Sequence, residues 1–220
     1  QGSALAYWRG SFSWGIFFLS LFALLCLHSS VNVLNDWHDF KSGIDRLTKR
    51  TPFSGGSGFL PLERMSPGEV LALGSDFLAL GVGTGIILVF RGGWPLVMIG
   101  LLGVFSVVTY TPLLCRIGLG EFFAGLSLVT LPVLGVYLLH SGSLGTVAWI
   151  AAVPAGLLTF NLLLLNEFPD AEADEKGGRR HLVILLGKEK AAWLYSLVEI
   201  FVYVHIAWAA FAGALTPWVL

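Results

Sequence analysis

Six apolar stretches, each long enough to cross a bilayer, restrict this chain to very few folds. A hydrocarbon core about 30 Å thick needs roughly 20 mostly apolar residues per helical crossing. Residues 12–34, 68–90, 93–113, 121–140, 144–165 and 191–213 meet that requirement. Within lipid every peptide group needs an internal partner, so these spans predict helices even where Gly81, Gly83, Gly85, Pro132, Pro154 and Gly156 recur. Small residues there also let helices pack closely. The expected fold class is all-α: a multi-pass transmembrane helical bundle, one domain over residues 1–220. Residues 1–8 read as the tail of an earlier span and 215–220 as the start of a later one, so the domain is expected to be trimmed at both ends. No basic region with a short apolar core precedes Phe12, and no signal peptide is read.

Composition agrees. Charged residues make up 12% of the chain, against roughly a quarter in soluble domains, and the mean hydropathy is +0.78. A net charge of −1 gives no bulk field for nucleic acid, and no protein partner is expected. Cys26 and Cys115 lie in or beside apolar spans and read as small core residues.

Orientation follows from the loops. Alternation of the spans puts 35–67, 114–120 and 166–190 on one side, where eleven of the thirteen Lys and Arg residues fall. Arg9 and Arg91 alone lie opposite, where the connections 91–92 and 141–143 are too short for a site. By the positive-inside rule the basic side is cytoplasmic, which predicts an inner-membrane protein with its chemistry on that face. The rule explains the lysines and arginines after the first span, but acids contribute little to topology.

The acids need a separate account. The first cluster, Asn35-Asp36-x-x-Asp39, puts Asn35 and Asp39 on one helix face if the helix continues, with Asn32 a turn earlier. The second, Asn166-Glu167-x-x-Asp170-x-Glu172-x-Asp174-Glu175, places Asn166, Asp170 and Asp174 at successive four-residue steps. Like charges so spaced repel, and unpaired carboxylates near lipid are costly, so a cation should hold them. Hard oxygen ligands with no Cys or His pair nearby favour Mg²⁺, which completes its shell with water and substrate phosphates. Two facing half-sites would clamp a magnesium diphosphate. Arg46, Lys49, Arg50, Arg116, Arg179 and Arg180 would donate to its oxygens.

Asn35-Asp36-x-x-Asp39 with Asp45 beyond resembles the first aspartate motif of the UbiA-type membrane prenyltransferases, NDxxDxxxD. Asp170-x-x-x-Asp174, followed by Lys176-Gly-Gly-Arg179-Arg180-His181, resembles their second. Asp45 follows Asp39 by six residues where the family usually has four, with Gly43 between them. That spacing, the KSGID and TKRTPFSGGSG segments, and Tyr110-Thr-Pro with Arg116-Ile-Gly-Leu-Gly-Glu121 are similar to the 1,4-dihydroxy-2-naphthoate polyprenyltransferase branch of menaquinone synthesis. The resemblance covers essentially the whole chain. It implies a nine-helix fold, of which about six helices are complete here. It implies transfer of a polyprenyl group from its diphosphate to an aromatic acceptor, with Mg²⁺ as cofactor. Asp36, Asp39, Asp170, Asp174 and Tyr110 would be catalytic, and Asp45 would join the four aspartates as a metal ligand. Asn35 and Asn166 would join the basic residues in binding substrate.

Other residues carry plainer readings. Arg116 is also explained as a topological anchor, and Tyr110 as an interfacial aromatic. Residues 51–58 read equally as a phosphate cradle or a cap. Asp76 and Glu199 read as structural carboxyls, and His181 receives no role. A magnesium channel would spread its acids through the midplane, whereas these gather at one face. A CDP-alcohol phosphotransferase would begin its signature D-G-x-x-A-R, which is absent.

Overall fold

The computed structural model describes residues 1–47 and 57–214, with the side chains of Arg46 and Leu47 outside that description. The described residues contain helices and no strand. In chain order the α-helices are α1 (Gly2–Trp8), α2 (Trp14–Ser42), α3 (Ile44–Leu47), α4 (Pro67–Thr109), α5 (Gly120–Gly125), α6 (Leu131–Ser141), α7 (Thr146–Lys176), α8 (Leu182–Leu186) and α9 (Lys188–Phe211). A π-helical stretch, Leu126–Thr130, joins α5 to α6 as one rod. Among the described residues, five helical rods are long and apolar enough to cross a membrane.

One of the five crosses twice. At 1.5 Å per residue the 43 residues of α4 would run about 65 Å, twice a bilayer core. Gly93 interrupts it with φ 62° and ψ −159°, a conformation that only glycine adopts readily, and Pro95 follows. The limbs 67–92 and 94–109 then lie side by side. Ser30 of α2 donates to Gly74 O in the first limb at 2.8 Å, and Asn35 of α2 meets the Thr111 hydroxyl just beyond the second at 2.9 Å. The helix start is encoded locally: Ser66 Oγ accepts from Glu69 N, Glu69 Oε2 accepts from Ser66 N at 2.7 Å, and Pro67 occupies the first turn.

The six crossings match the six apolar stretches, with two adjustments. The connection expected at 91–92 is a turn at Gly93, and Arg91 stays helical, its Nε donating to Leu139 O at 3.0 Å. The acidic segments expected in loops 35–67 and 166–190 begin as helix, because α2 and α7 keep their backbone ladders past the apolar runs to Ser42 and Lys176.

Packing sorts by end. Ala6, Leu134, Ala148 and Ala152 are buried together at the Gly93 end, and Leu164, Val183 and Ala191 at the opposite end. Phe90, Trp94 and Phe211 are 90%, 71% and 87% exposed, the surface that lipid rather than water solvates.

Candidate active site

The site lies where α2, α7 and the segment after α4 end together. The last turns of α2 carry Asn35, Asp36 and Asp39. Gly43 closes the helix (φ 82°), so Asp45 falls on the separate α3, whose Ile44 abuts Gly177 past the end of α7. α7 brings Asn166, Glu167, Asp170 and Asp174. Beyond it Gly178, at φ 85°, reverses the chain, and Arg179 N donates to Asp174 O at 2.9 Å. This turn sends the Arg179 side chain back between the two acidic helix ends.

Arg179 is the hub. One terminal nitrogen donates to both Asp39 oxygens at 2.6 Å, and the other lies 3.5 Å from Asp174 Oδ1. Burial alone would lower the arginine's pKa; Asp39 and Asp174 outweigh burial and hold the guanidinium charged more firmly than usual. With its amide oriented to satisfy its neighbours, Asn35 donates to Asp39 Oδ2 at 3.2 Å. Its oxygen then accepts from the Thr111 hydroxyl at 2.9 Å and from Arg179 at 3.2 Å. Part of the positive charge that the facing acids call for is therefore supplied within the chain, at Asp39 and Asp174.

The third wall is the segment 110–121. Arg180 N donates to Cys115 O at 2.8 Å, tying this segment to the turn after α7. The Tyr110 hydroxyl and Cys115 thiol lie within interaction distance of each other. Burial pushes the tyrosine well above its ordinary value and the thiol up to about 12, so both stay protonated.

Beneath this polar lid a cavity of about 510 Å³ opens between α2, the limb 94–109, the α5–α6 rod and α7. Asn35, Tyr110, Asn166 and Arg179 line its polar end, and Leu24, Val107 and Leu128 are among the apolar side chains farther along. A second cavity of about 320 Å³ shares Leu24, Leu27, Gly103, Ser127 and Pro132 with the first. Together they form an apolar space extending from the charged end into the bundle.

The structure thus brings together Asn35, Asp39, Tyr110, Asp174 and Arg179, with Asn166 at the cavity. Asp36 accepts from Ser57 N at 3.3 and 3.4 Å, and half-buried Asp170 lies within electrostatic reach of Asp174 and Arg179. Arg116 and Arg180 are exposed. Lys49 and Arg50, with residues 51–56 of the glycine-rich stretch, lie outside the described residues, as does the Arg46 side chain. Exposed Asp76 and half-buried Glu199 stand apart from the site; Glu199 accepts from Asn161 Nδ2 at 3.2 Å. The oxygen donors Asp36, Asp39, Asp170 and Asp174 gather at one end of the bundle with an amide beside them, a set suited to Mg²⁺.

Three further residues join the site. His181 Nε2 is 3.4 Å from Asp174 Oδ2, its Nδ1 is 3.7 Å from Glu167 Oε2, and Glu121 packs against Glu167. Glu121 stood in the Gly-Leu-Gly-Glu signature and Glu167 beside Asn166, but no sequence spacing links them to His181.

The sequence profile of the UbiA prenyltransferase family matches residues 2–220. Over 220 residues the chain is 27% identical to 1,4-dihydroxy-2-naphthoate octaprenyltransferase of Bacillus subtilis (strain 168), covering 99% of this chain and 70% of that protein. It is 27% identical over 199 residues to the protein of the same name from Escherichia coli (strain K12), covering 86% and 63%. It is 29% identical over 207 residues to a UbiA prenyltransferase domain-containing protein 1 homolog of Drosophila melanogaster, covering 90% and 55%. The chain therefore spans between 55% and 70% of the length of these relatives.

Proposed function

The chain belongs to the UbiA prenyltransferase family, and on that premise we propose that it transfers a polyprenyl group from a polyprenyl diphosphate to an aromatic acceptor, 1,4-dihydroxy-2-naphthoate, in menaquinone biosynthesis. The observation that carries the reading is the joining of a charged end, built on Asp39, Arg179 and Asp174, to an apolar cavity of about 510 Å³. A polyprenyl diphosphate has that same division between an anionic head and an apolar tail.

The chain's own groups account for most of the chemistry. Arg179 can exchange Asp39 oxygens for phosphate oxygens, and its planar fork suits them. Asn35, held by Thr111, orients Asp39. Asp36, Asp39, Asp170 and Asp174 would hold Mg²⁺ with the diphosphate, and Asp45 would assist from α3. When bound, the ion supplies Lewis-acid withdrawal of charge from the leaving group. As the allylic C–O bond breaks, the diphosphate departs with the bonding pair. The apolar walls keep water from the allylic cation, and the face of Tyr110 stabilises it. An electron-rich ring carbon of the acceptor then bonds to the cation and loses its proton to the released diphosphate. Arg116 and Arg180, with Arg46, Lys49 and Arg50, would attract the diphosphate to the face. The excess of Lys and Arg among the loops at this end supports a cytoplasmic orientation in the inner membrane.

The test is to reconstitute the whole protein with geranylgeranyl diphosphate, Mg²⁺ and a panel of naphthoate, hydroxybenzoate and homogentisate acceptors. Prenylated naphthoate is the expected product. Product on another acceptor would reassign the substrate, and magnesium flux into liposomes without any prenyl transfer would overturn the reading.

A further inference from the structure

We infer that Glu121, Glu167 and His181 form a binding site for one divalent transition-metal ion, with a ligand set distinct from the aspartates and adjoining the second motif through Asp174. One ligand atom from each of the three lies within 4.8 Å of the other two. The site is enclosed: Glu121 is 0% and His181 2% exposed, and the Glu167 side chain 12%. None of the three lines the apolar cavity.

The polar accounting favours an occupant. Glu121 Oε1 accepts from Leu182 N, but Glu121 Oε2, Glu167 Oε2 and His181 Nδ1 are buried without a hydrogen-bond partner. Native structures rarely leave so many buried polar atoms together unsatisfied. The charges point the same way. Two carboxylates face each other here, while the neighbouring guanidinium of Arg179 is engaged with Asp39 and Asp174. A dication bound by two carboxylates and a neutral imidazole would leave the pocket with no net charge.

The histidine is already oriented for ligation. Its Nδ1 faces Glu167 at 3.7 Å, and its Nε2 faces Asp174 at 3.4 Å. A ligating histidine ordinarily gives its second nitrogen to a carboxylate in this way, which fixes the tautomer. The imidazole ligand favours zinc-class ions over magnesium, which prefers an all-oxygen shell. Glu121 opens α5, Glu167 rides on α7 and His181 precedes α8, so the ion would fasten three segments beside the core of Leu164, Val183 and Ala191. Through His181 it would also hold Asp174 in place.

The experiment uses the whole protein, purified without a histidine tag and titrated with Co²⁺ in excess Mg²⁺, which keeps oxygen-only sites filled. We expect saturable uptake of about one Co²⁺ with the visible absorption of nitrogen ligation. Asp39→Asn should leave it intact, and His181→Gln and Glu121→Gln should each weaken it by at least about tenfold. Absence of saturable uptake in the unaltered protein would overturn the site. So would undiminished uptake in His181→Gln; the cluster would then be held by a protonated His181 and a proton shared between Glu121 and Glu167. If Glu121→Gln fails to fold, the unaltered protein and His181→Gln decide between them.

Discussion

The guanidinium of Arg179 and the carboxylate of Asp39, 140 residues apart in sequence, meet at 2.6 Å from one nitrogen to both oxygens. This contact joins the two acidic helix ends, and most of the expected effects of substitution follow from it.

Asp39→Asn and Asp174→Asn keep side-chain volume and remove the charge. Each should lower prenyl transfer by about 10²–10³-fold, the scale of losing one preorganised electrostatic group, while gel filtration in detergent still shows a monodisperse protein. Turnover within a few-fold of the unaltered protein would remove these carboxylates from the chemistry.

Arg179→Ala leaves two largely buried carboxylates facing each other. Breaking a buried ion pair on one side costs about 3–5 kcal/mol, which should appear as a marked fall in the detergent melting temperature. Added Mg²⁺ should restore part of that fall by binding the folded acids. Arg179→Lys should recover only part, because an ammonium cannot present the planar fork. A melting temperature that neither falls nor responds to Mg²⁺ would remove Arg179 from the centre of the site.

Gly103 lines both cavities, and a Cβ added there would meet no atom within 4 Å. Gly103→Phe should therefore fold and place its ring where the two spaces join. The ratio of kcat/KM for an octaprenyl over a farnesyl donor should fall at least about tenfold, since shape discrimination in apolar pockets reaches that scale. An unchanged ratio would mean that the tail does not run past Gly103.

The pH dependence follows from Cys115 and Tyr110. Burial raises the thiol from 9.0 to about 12 and raises the phenol well above 10.0. Both are acids that the folded state keeps protonated, so their contribution to stability is complete below the unfolded values. It is lost as pH rises through the window from about 9 toward about 12. Melting temperature should fall over this range, and Cys115→Ala should flatten the part between about pH 9 and 10. An unaltered slope would refute the assignment to Cys115.

Much of this molecule was legible in the sequence because lipid permits so little else. Apolar length gave the six crossings, and four-residue spacing placed Asn35 over Asp39 and Asp170 over Asp174. Three-dimensional partnership was another matter. Arg179 could be read as a phosphate ligand from its charge, but its hold on Asp39 depends on the turn at Gly178 and on two rods meeting at one end. The Glu121, Glu167 and His181 grouping draws on three segments with no shared period. Gly93 was only the first position of the span 93–113, and its positive φ is set by the need for the limb 94–109 to return.

The acidic C-terminal ends of α2 and α7, the tyrosine and the polar end of the apolar space lie at one end, while Gly93 and residues 142–145 make only tight turns at the other. A bundle built this way can address a single leaflet. An amphiphile carrying its anionic head in that leaflet could settle and react without its charge ever traversing hydrocarbon, and the far monolayer would be invisible to it.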